Sequence, residues 1–401
     1  MATHKFEVLG SSVPKRIGAV ITGGDFQGLG VLRTLAKKDI PIVLLDHDNC
    51  IGRYSRHTKK FFRSPSPSDE RRYLSFLINL AKKEKIQGWV VFPNSDEAVY
   101  VLSRNKRVLE EYYRIPTPHW EVIQHVYIKE NTYRIAEKNN IPTPRTYYPK
   151  SLEETNELDL TFPVVIKPSI RDHFYNKTKI KAFLINNRDE LKKIYNKVSF
   201  VIDPSEILIQ DFIPGGPKQL YSFCPFFKEG KVVTSIMARR ARQHPMDFGH
   251  ATTFAELVDI PEMQSIAEKF LTLIGYYGIG EVEFMQDPRD GKFKLIEVNA
   301  RPWGWHTLAI AAAVDLPYLL YQDMVGEKIV MPAPLKNMKW VRSITDIPTV
   351  FAEIIKGNMK FSDYLKSMKG KKEFAVFSLD DPLPFFMEIA MSPYLWSKKG
   401  F

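Results

Sequence analysis

The chain has 401 residues, 44% of them hydrophobic and 26% charged, a balance that excludes a disordered or fibrous protein and supplies enough apolar material for two or three compact units. Its net charge of +11 is spread along the sequence, with no lysine-rich arm and no zinc-finger spacing, so nucleic acid is not an expected partner. Nucleotide phosphates or an anionic membrane face account for the surplus equally well. Two cysteines, Cys50 and Cys224, are too few for a disulfide framework, and no apolar run approaches the roughly 20 residues needed to span a bilayer. The first twenty residues also lack the apolar segment of a secretory signal, and a cytoplasmic location is the expectation.

In chain order, residues 16–22 read as a buried strand, 23–30 as a glycine turn, 31–38 as a helix and 42–46 as a second strand. A helix over 70–85 and a strand over 88–92 continue the alternation, which predicts an α/β domain with a parallel sheet over residues 1–125. The glycine turn, with Asp46 at the end of the next strand, invites a dinucleotide reading. The glycines do not have the Gly-x-Gly-x-x-Gly spacing, because Asp25 or Phe26 falls where the second one is needed for close pyrophosphate approach. A turn joining strand to helix, or contact with a small substrate, is the better account.

A helix over 129–139 ends at Asn139, Asn140 and Pro142, and a new unit follows. Strands are predicted at 164–166, 180–185 and 207–212, with a helix over 188–197 whose Asn187 and Glu190 have capping-box spacing. A strand over 232–240 leads to a loop rich in Gly, His and Thr, and residues 280–299 form a hairpin about Asp287, Pro288 and Gly291. From about Val330 a Lys-rich, aromatic segment runs to the end. The expected units are 1–125, 126–205, 206–330 and 331–401.

The hairpin carries the strongest chemical signal. Alternation places Glu281 and Glu283 on one face of the first strand and Glu297 and Asn299 on one face of the second. Pairing the two strands gathers carboxylates that repel unless a cation joins them, and hard oxygen ligands suit Mg²⁺ shared with phosphates; a solvated polar face is the plainer alternative. Lys167 ends the apolar strand Phe162-Pro163-Val164-Val165-Ile166-Lys167-Pro168, and Lys129 opens the preceding helix. Arg240 and Arg242 fall on one strand face if the chain stays extended, two guanidinium forks suited to a carboxylate or phosphate.

These segments, in this order and spacing, resemble the ATP-grasp enzymes, the superfamily of D-alanine:D-alanine ligase, biotin carboxylase and carbamoyl phosphate synthetase, from about Gly18 to Val325. The most specific part is Glu283-Phe284 with Glu297-Val298-Asn299-Ala300-Arg301-Pro302. The resemblance implies that a parallel-sheet pre-ATP-grasp domain precedes an α+β ATP-grasp module, with residues 331–401 as a C-terminal extension. It implies that Glu283, Glu297 and Asn299 bind Mg²⁺, with Mn²⁺ as an alternative, and that Arg301 and Lys167 act in catalysis. Lys129 and Lys167 would hold the ATP phosphates. Gln210, Asp211, Phe212 and Ile213 would contact adenine, Gln210 through its side chain. Asp96 falls at a strand end facing the substrate cleft, and the block at Asp247, Phe248 and His250 resembles the pocket lining of carboxylate–amine ligases. The loop 169–177 has none of the phosphate-covering glycines of many members, leaving its Arg and Lys side chains to supply charge, and the ribose-binding acid is missing near 217–219.

The activity so implied is an ATP-dependent carboxylate–amine ligase working through an acyl phosphate on small-molecule substrates. Acyl transfer to a thiol or hydroxyl, and a non-catalytic nucleotide-binding or membrane-docking module, are the alternatives. A homo-oligomer is left open. In the last segment Lys366, Lys369, Lys371 and Lys372 precede the apolar stretch 385–391. Docking on an anionic leaflet and packing on the catalytic module are both open, and packing is preferred because Trp340, Phe377 and Trp396 offer anchors.

Overall fold

The computed structural model describes residues 16–246, 249, 251–331 and 333–399. The expected pocket residues Asp247, Phe248 and His250 lie outside these. Three sheets carry the architecture.

The first is a parallel sheet in the order β3-β2-β1-β4-β5, formed by β1 (Ala19–Thr22), β2 (Ile42–Asp46), β3 (Lys60–Arg63), β4 (Trp89–Pro93) and β5 (Tyr113–Arg114). Strands β1 and β2 are buried throughout, as sequences covered on both faces by helices must be. Those helices include α1 (Phe26–Ala36), α2 (Glu70–Glu84) and α3 (Asp96–Arg104).

The glycine segment differs from the expected turn over 23–30, since α1 already begins at Phe26. Gly23 makes the turn at φ +96°. Gly28 serves packing instead: a Cβ there would lie 1.8 Å from the Gly23 carbonyl oxygen, so no other residue fits. The Asp46 carboxylate accepts the Gly24 N–H at 2.7 Å and the Asp48 N–H at 2.8 Å. These two bonds close the turn, a structural role for Asp46 that needs no dinucleotide.

The second sheet follows α4 (Lys129–Lys138) and is antiparallel, in the order β6-β9-β7-β8. Its strands are β6 (Thr146–Tyr147), β7 (Val164–Pro168), β8 (Phe183–Ile185) and β9 (Ile207–Asp211). Residues 169–177, expected as a loop, contain α5 (Arg171–Thr178), which ends where Lys179 turns left-handed at φ +60°. Between β8 and β9 runs α6 (Arg188–Ser199), capped as expected by the Asn187 side chain accepting the Glu190 N–H at 2.9 Å.

The third sheet has eight strands: β10 (Leu220–Lys228), β11 (Lys231–His244), β12 (Ala251–Val258), β13 (Gly278–Ile279), β14 (Glu281–Gln286), β15 (Phe293–Asn299), β16 (Lys339–Val341) and β17 (Lys372–Phe374). Strands β16 and β17 extend it beyond β12, so the last segment of the chain is built onto the sheet that bears the glutamates. Trp340 in β16 is fully buried, faces Phe26 of α1 at a ring distance of 6.3 Å, and donates its indole N–H to Thr307 Oγ1 at 2.9 Å. It is the anchor expected of it. Phe377 and Trp396 are instead exposed. Among the described residues no helix is long and apolar enough to cross a membrane.

Candidate active site

A cleft of about 440 Å³ lies between the second and third sheets and reaches the start of α1. Its floor is the β14–β15 ladder, in which Glu283 stands opposite Glu297 and Glu281 opposite Asn299. The alternation read from the sequence therefore holds, and all four side chains line the cleft.

Each carboxylate is already matched. Arg240 pairs with Glu283 at 2.6 Å, and Lys129 donates to Glu297. Asn299 Nδ2 bridges the two neighbouring acids, donating to Glu281 at 3.1 Å and to Glu283 at 2.9 Å, while Ser222 donates to Glu281 at 2.8 Å. Burial, then the Glu283 charge, pushes the Glu281 carboxyl up to about 8. Burial would also raise Glu297, but Lys129, then Arg171 and Lys181, hold it down at about 2. Carboxylates crowded in this way favour any added cation, and an oxygen-only donor set suits a hard one. Among the described residues no three His, Cys, Asp or Glu side chains form a protein-only metal cage. Glu283 and Glu297 fit a Mg²⁺ that completes its shell with phosphate oxygens and water, and Asn299, whose Nδ2 here faces the acids and whose Oδ1 meets Arg301, would join them with its amide turned over.

Across the cleft, Lys167 points from β7 and donates to Tyr133 Oη at 2.6 Å and Gln210 Oε1 at 2.7 Å. Burial, then the neighbouring Lys129 charge, pushes its ammonium down to about 7. Gln210 lines the cleft but is buried, accepts from Lys167, and donates to Thr146 Oγ1 at 2.8 Å. The pairing of β7 with β9 brings these side chains together. Asp211, Phe212 and Ile213 do line the cleft.

Arg301, just beyond β15, forms a two-pronged ion pair with Asp96, at 2.6 and 3.0 Å, and reaches Asn299 Oδ1 at 3.3 Å. Ser95 caps α3 with its hydroxyl and so fixes Asp96 at the end of β4. Arg171 of α5 also approaches Asp96, at 3.7 Å. Asp96 thus orients arginines rather than standing open to a substrate.

The two strand arginines separate. Arg240 lines the cleft, with its Nε unpartnered by any hydrogen bond among the described residues. Arg242 is buried elsewhere, donating to both oxygens of Asp346 at 2.7 and 2.8 Å and to Ser367 Oγ at 2.9 Å. The cause is an irregularity between Arg239 and Arg242 in the pairing of β11 with β12: a bulge breaks the two-residue period, and Gln243 reaches the cleft instead. Residues that sequence reasoning passed over are Tyr133, Lys181, Trp303 and Trp305. Lys181 lines the cleft and donates to the Gly249 carbonyl at 2.9 Å. Trp303 and Trp305 are buried at the cleft's end beside Phe26. The Trp303-Gly304-Trp305 run directly after the Arg301-Pro302 pair was the available signal.

This arrangement, two sheets closing on a cleft behind a parallel-sheet domain, is the ATP-grasp fold. It matches the biotin carboxylase domain of Hydrogenobacter thermophilus 2-oxoglutarate carboxylase, solved with MgADP, ADP and bicarbonate, at a TM-score of 0.62, 19% identity, and coverage of 80% of this chain and 72% of that one. An L-amino acid ligase from Bacillus licheniformis superposes at a TM-score of 0.60, 15% identity, with 80% and 76% covered. In sequence, the family described as carbamoyl-phosphate synthase L chain, ATP binding domain, matches residues 249–326, which include the β14–β15 ladder. D-aspartate ligase of Enterococcus faecium (strain Aus0004) is 25% identical over 273 residues. That match covers 64% of each protein, slightly under two thirds of the relative's length.

Proposed function

We propose that the protein is an ATP-dependent ligase that joins a small carboxylate to an amine through an acyl phosphate. The observation that carries this reading is the facing pair Glu283 and Glu297 on the cleft floor, with Lys129 and Lys167 beside it and Arg301 at its edge. A binding module has no need of so many opposed charges at one point. The likeness to D-aspartate ligase and to an L-amino acid ligase supports an amide-forming reaction.

A carboxylate acylates poorly because its leaving group would be oxide. In the proposed reaction one carboxylate oxygen bonds to the γ-phosphorus as the bond to ADP breaks. An amine then bonds to the acyl carbon, loses a proton, and inorganic phosphate departs. Mg²⁺ held by Glu283, Glu297 and Asn299 together with the phosphates would supply charge neutralisation. Lys129 and Lys167 bind phosphate oxygens, and Arg301, oriented by Asp96, meets the charge that develops on the transferred group. Arg240 receives the substrate carboxylate through the part of its fork not taken by Glu283.

The direct test is phosphate release from ATP and Mg²⁺ across a panel of amino acids and other small carboxylates, with an amine acceptor present and the product checked by mass. Release that requires both a carboxylate and an amine supports the reading, and release with neither, or none across the panel, contradicts it.

Two further outcomes are expected. Replacing Arg240 by Lys keeps the charge but loses the planar fork, so KM for the carboxylate should rise about tenfold while KM for ATP changes less. Unchanged constants would remove Arg240 from the substrate site. The second concerns protons. With Lys167 near 7, and Lys181 also pushed down to about 7 by burial, then by Arg171 and Arg240, both are largely neutral in the free protein at about pH 8. Triphosphate beside them favours their charged forms, so MgATP binding should take up protons at about pH 8 and not at about pH 6. Calorimetric titrations in buffers of different ionisation enthalpy measure this. Equal proton counts at both pH values would contradict the assignment, and Lys167→Met should lower the uptake.

A further inference from the structure

The outer part of the molecule contains two helices packed the wrong way round. In α7 (Ser343–Ile355) the inward face carries Asp346, Thr349 and Glu353, while Ile347, Phe351 and Ile355 are 59%, 65% and 71% exposed. Asp346 receives Arg242 and the Thr253 hydroxyl, and Thr349 bonds to His244 at 2.7 Å. In α8 (Leu383–Ala390) Glu388, paired with Arg342 at 3.0 Å, is buried beside the apolar Pro384, and Leu383, Phe386 and Ile389 face outward at 51%, 58% and 50%. Arg342 immediately precedes α7, so this pair ties the inward face of α8 to the start of α7. A short helix after α7, Phe361–Ser367, adds exposed Phe361 and Leu365.

Polar residues that could face water are thus spent on internal ion pairs, and the apolar sides are left outside. An exposed apolar face of this kind on each of two helices marks an interaction site. The charges around it identify the occupant. Between residues 343 and 398 the exposed charges are Lys356, Lys360, Lys366, Lys369, Lys371 and Lys398 against Asp363 and Asp380, because Asp346, Glu353, Asp381 and Glu388 are turned inward. A second copy seated symmetrically on this face would bring lysines against lysines. An anionic bilayer surface accepts both features, with aromatic and aliphatic side chains entering the headgroup boundary and lysines at the phosphates.

We infer that α7 and α8 form a peripheral docking surface for an anionic membrane leaflet. Flotation of the full chain with vesicles of phosphatidylcholine alone, or mixed with phosphatidylglycerol, tests it. Binding to the mixed vesicles should exceed binding to phosphatidylcholine at least about tenfold and weaken as salt rises. The double variant Phe351→Ser, Phe386→Ser should lose about tenfold or more in binding with an unchanged unfolding midpoint and unchanged ATP turnover off the membrane. Lys366→Glu with Lys369→Glu should abolish the preference for the anionic lipid. The inference is overturned by absence of binding at low salt, by equal binding of the serine variant, or by a solution dimer that the serine substitutions dissociate.

Discussion

Replacement of Glu297 by Ala should lower ATP-dependent phosphate release on the order of a thousandfold, the scale of removing a principal charge-positioning group from a transfer site. Two losses combine. The facing pair of β14 and β15 keeps only Glu283 as a carboxylate, so a shared Mg²⁺ loses one of its anionic ligands. Lys129 loses the partner that holds its ammonium above the ordinary lysine range against burial, so it becomes a less reliable cation for phosphate. Because Glu297 is partly exposed and lies on the cleft floor, not in an apolar core, the circular dichroism and cooperative unfolding of the variant should stay close to those of the parent. Glu297→Asp, which keeps the charge but shortens its reach, should recover part of the activity. Near-parental turnover of the alanine variant with Mg²⁺ would remove the proposed metal site.

The second large effect concerns stability, with catalysis spared. Arg242→Ala leaves the fully buried Asp346 with the Thr253 hydroxyl but without its guanidinium. Breaking a buried pair from one side costs about 3–5 kcal/mol, because the remaining charge has lost its compensation. Denaturant unfolding should show that loss, while KM for the carboxylate and for ATP stays within about twofold of the parent at temperatures where the variant is folded. The removal of both charges, as Arg242→Leu with Asp346→Leu, should be less damaging than Arg242→Ala alone. A rise in carboxylate KM without loss of stability would return Arg242 to the substrate site.

The contrast between Arg240 and Arg242 shows where sequence reasoning stops. The β14–β15 hairpin was readable because a two-residue period and the turn at Asp287 to Gly291 are local properties, and the register came out as the alternation required. The bulge in β11 is also local, but nothing in the run Ala238-Arg239-Arg240-Ala241-Arg242 announces it; its register is set by β12, which comes later in the chain. The present partners of Gln210 were hidden for a related reason. Its amide is claimed by Lys167 on β7 and Thr146 on β6, partners more than forty residues away that only the assembled sheet brings near. Helix α5 has a single buried apolar side chain, Phe174, and no apolar stripe to announce it, and α7, with its exposed Ile347, Phe351 and Ile355, misleads any rule that places apolar residues inside. The parallel sheet, by contrast, rests on uninterrupted apolar runs in β1 and β2, a signal that survives without tertiary context.

Asp96 comes from the head of α3 in the leading domain, Arg171 from the second unit and Arg301 from the strap after β15. One carboxylate is therefore common property of three separately formed pieces. In a chimaera that grafts the second and third sheets onto the leading domain of a related protein, the join would lie remote in sequence from Arg301 and yet decide whether that arginine has a counter-ion. Compatibility between donor and recipient then reduces to one acidic residue at the head of the helix after β4, and the leading domain behaves as a wall of the reaction chamber that cannot be exchanged without it.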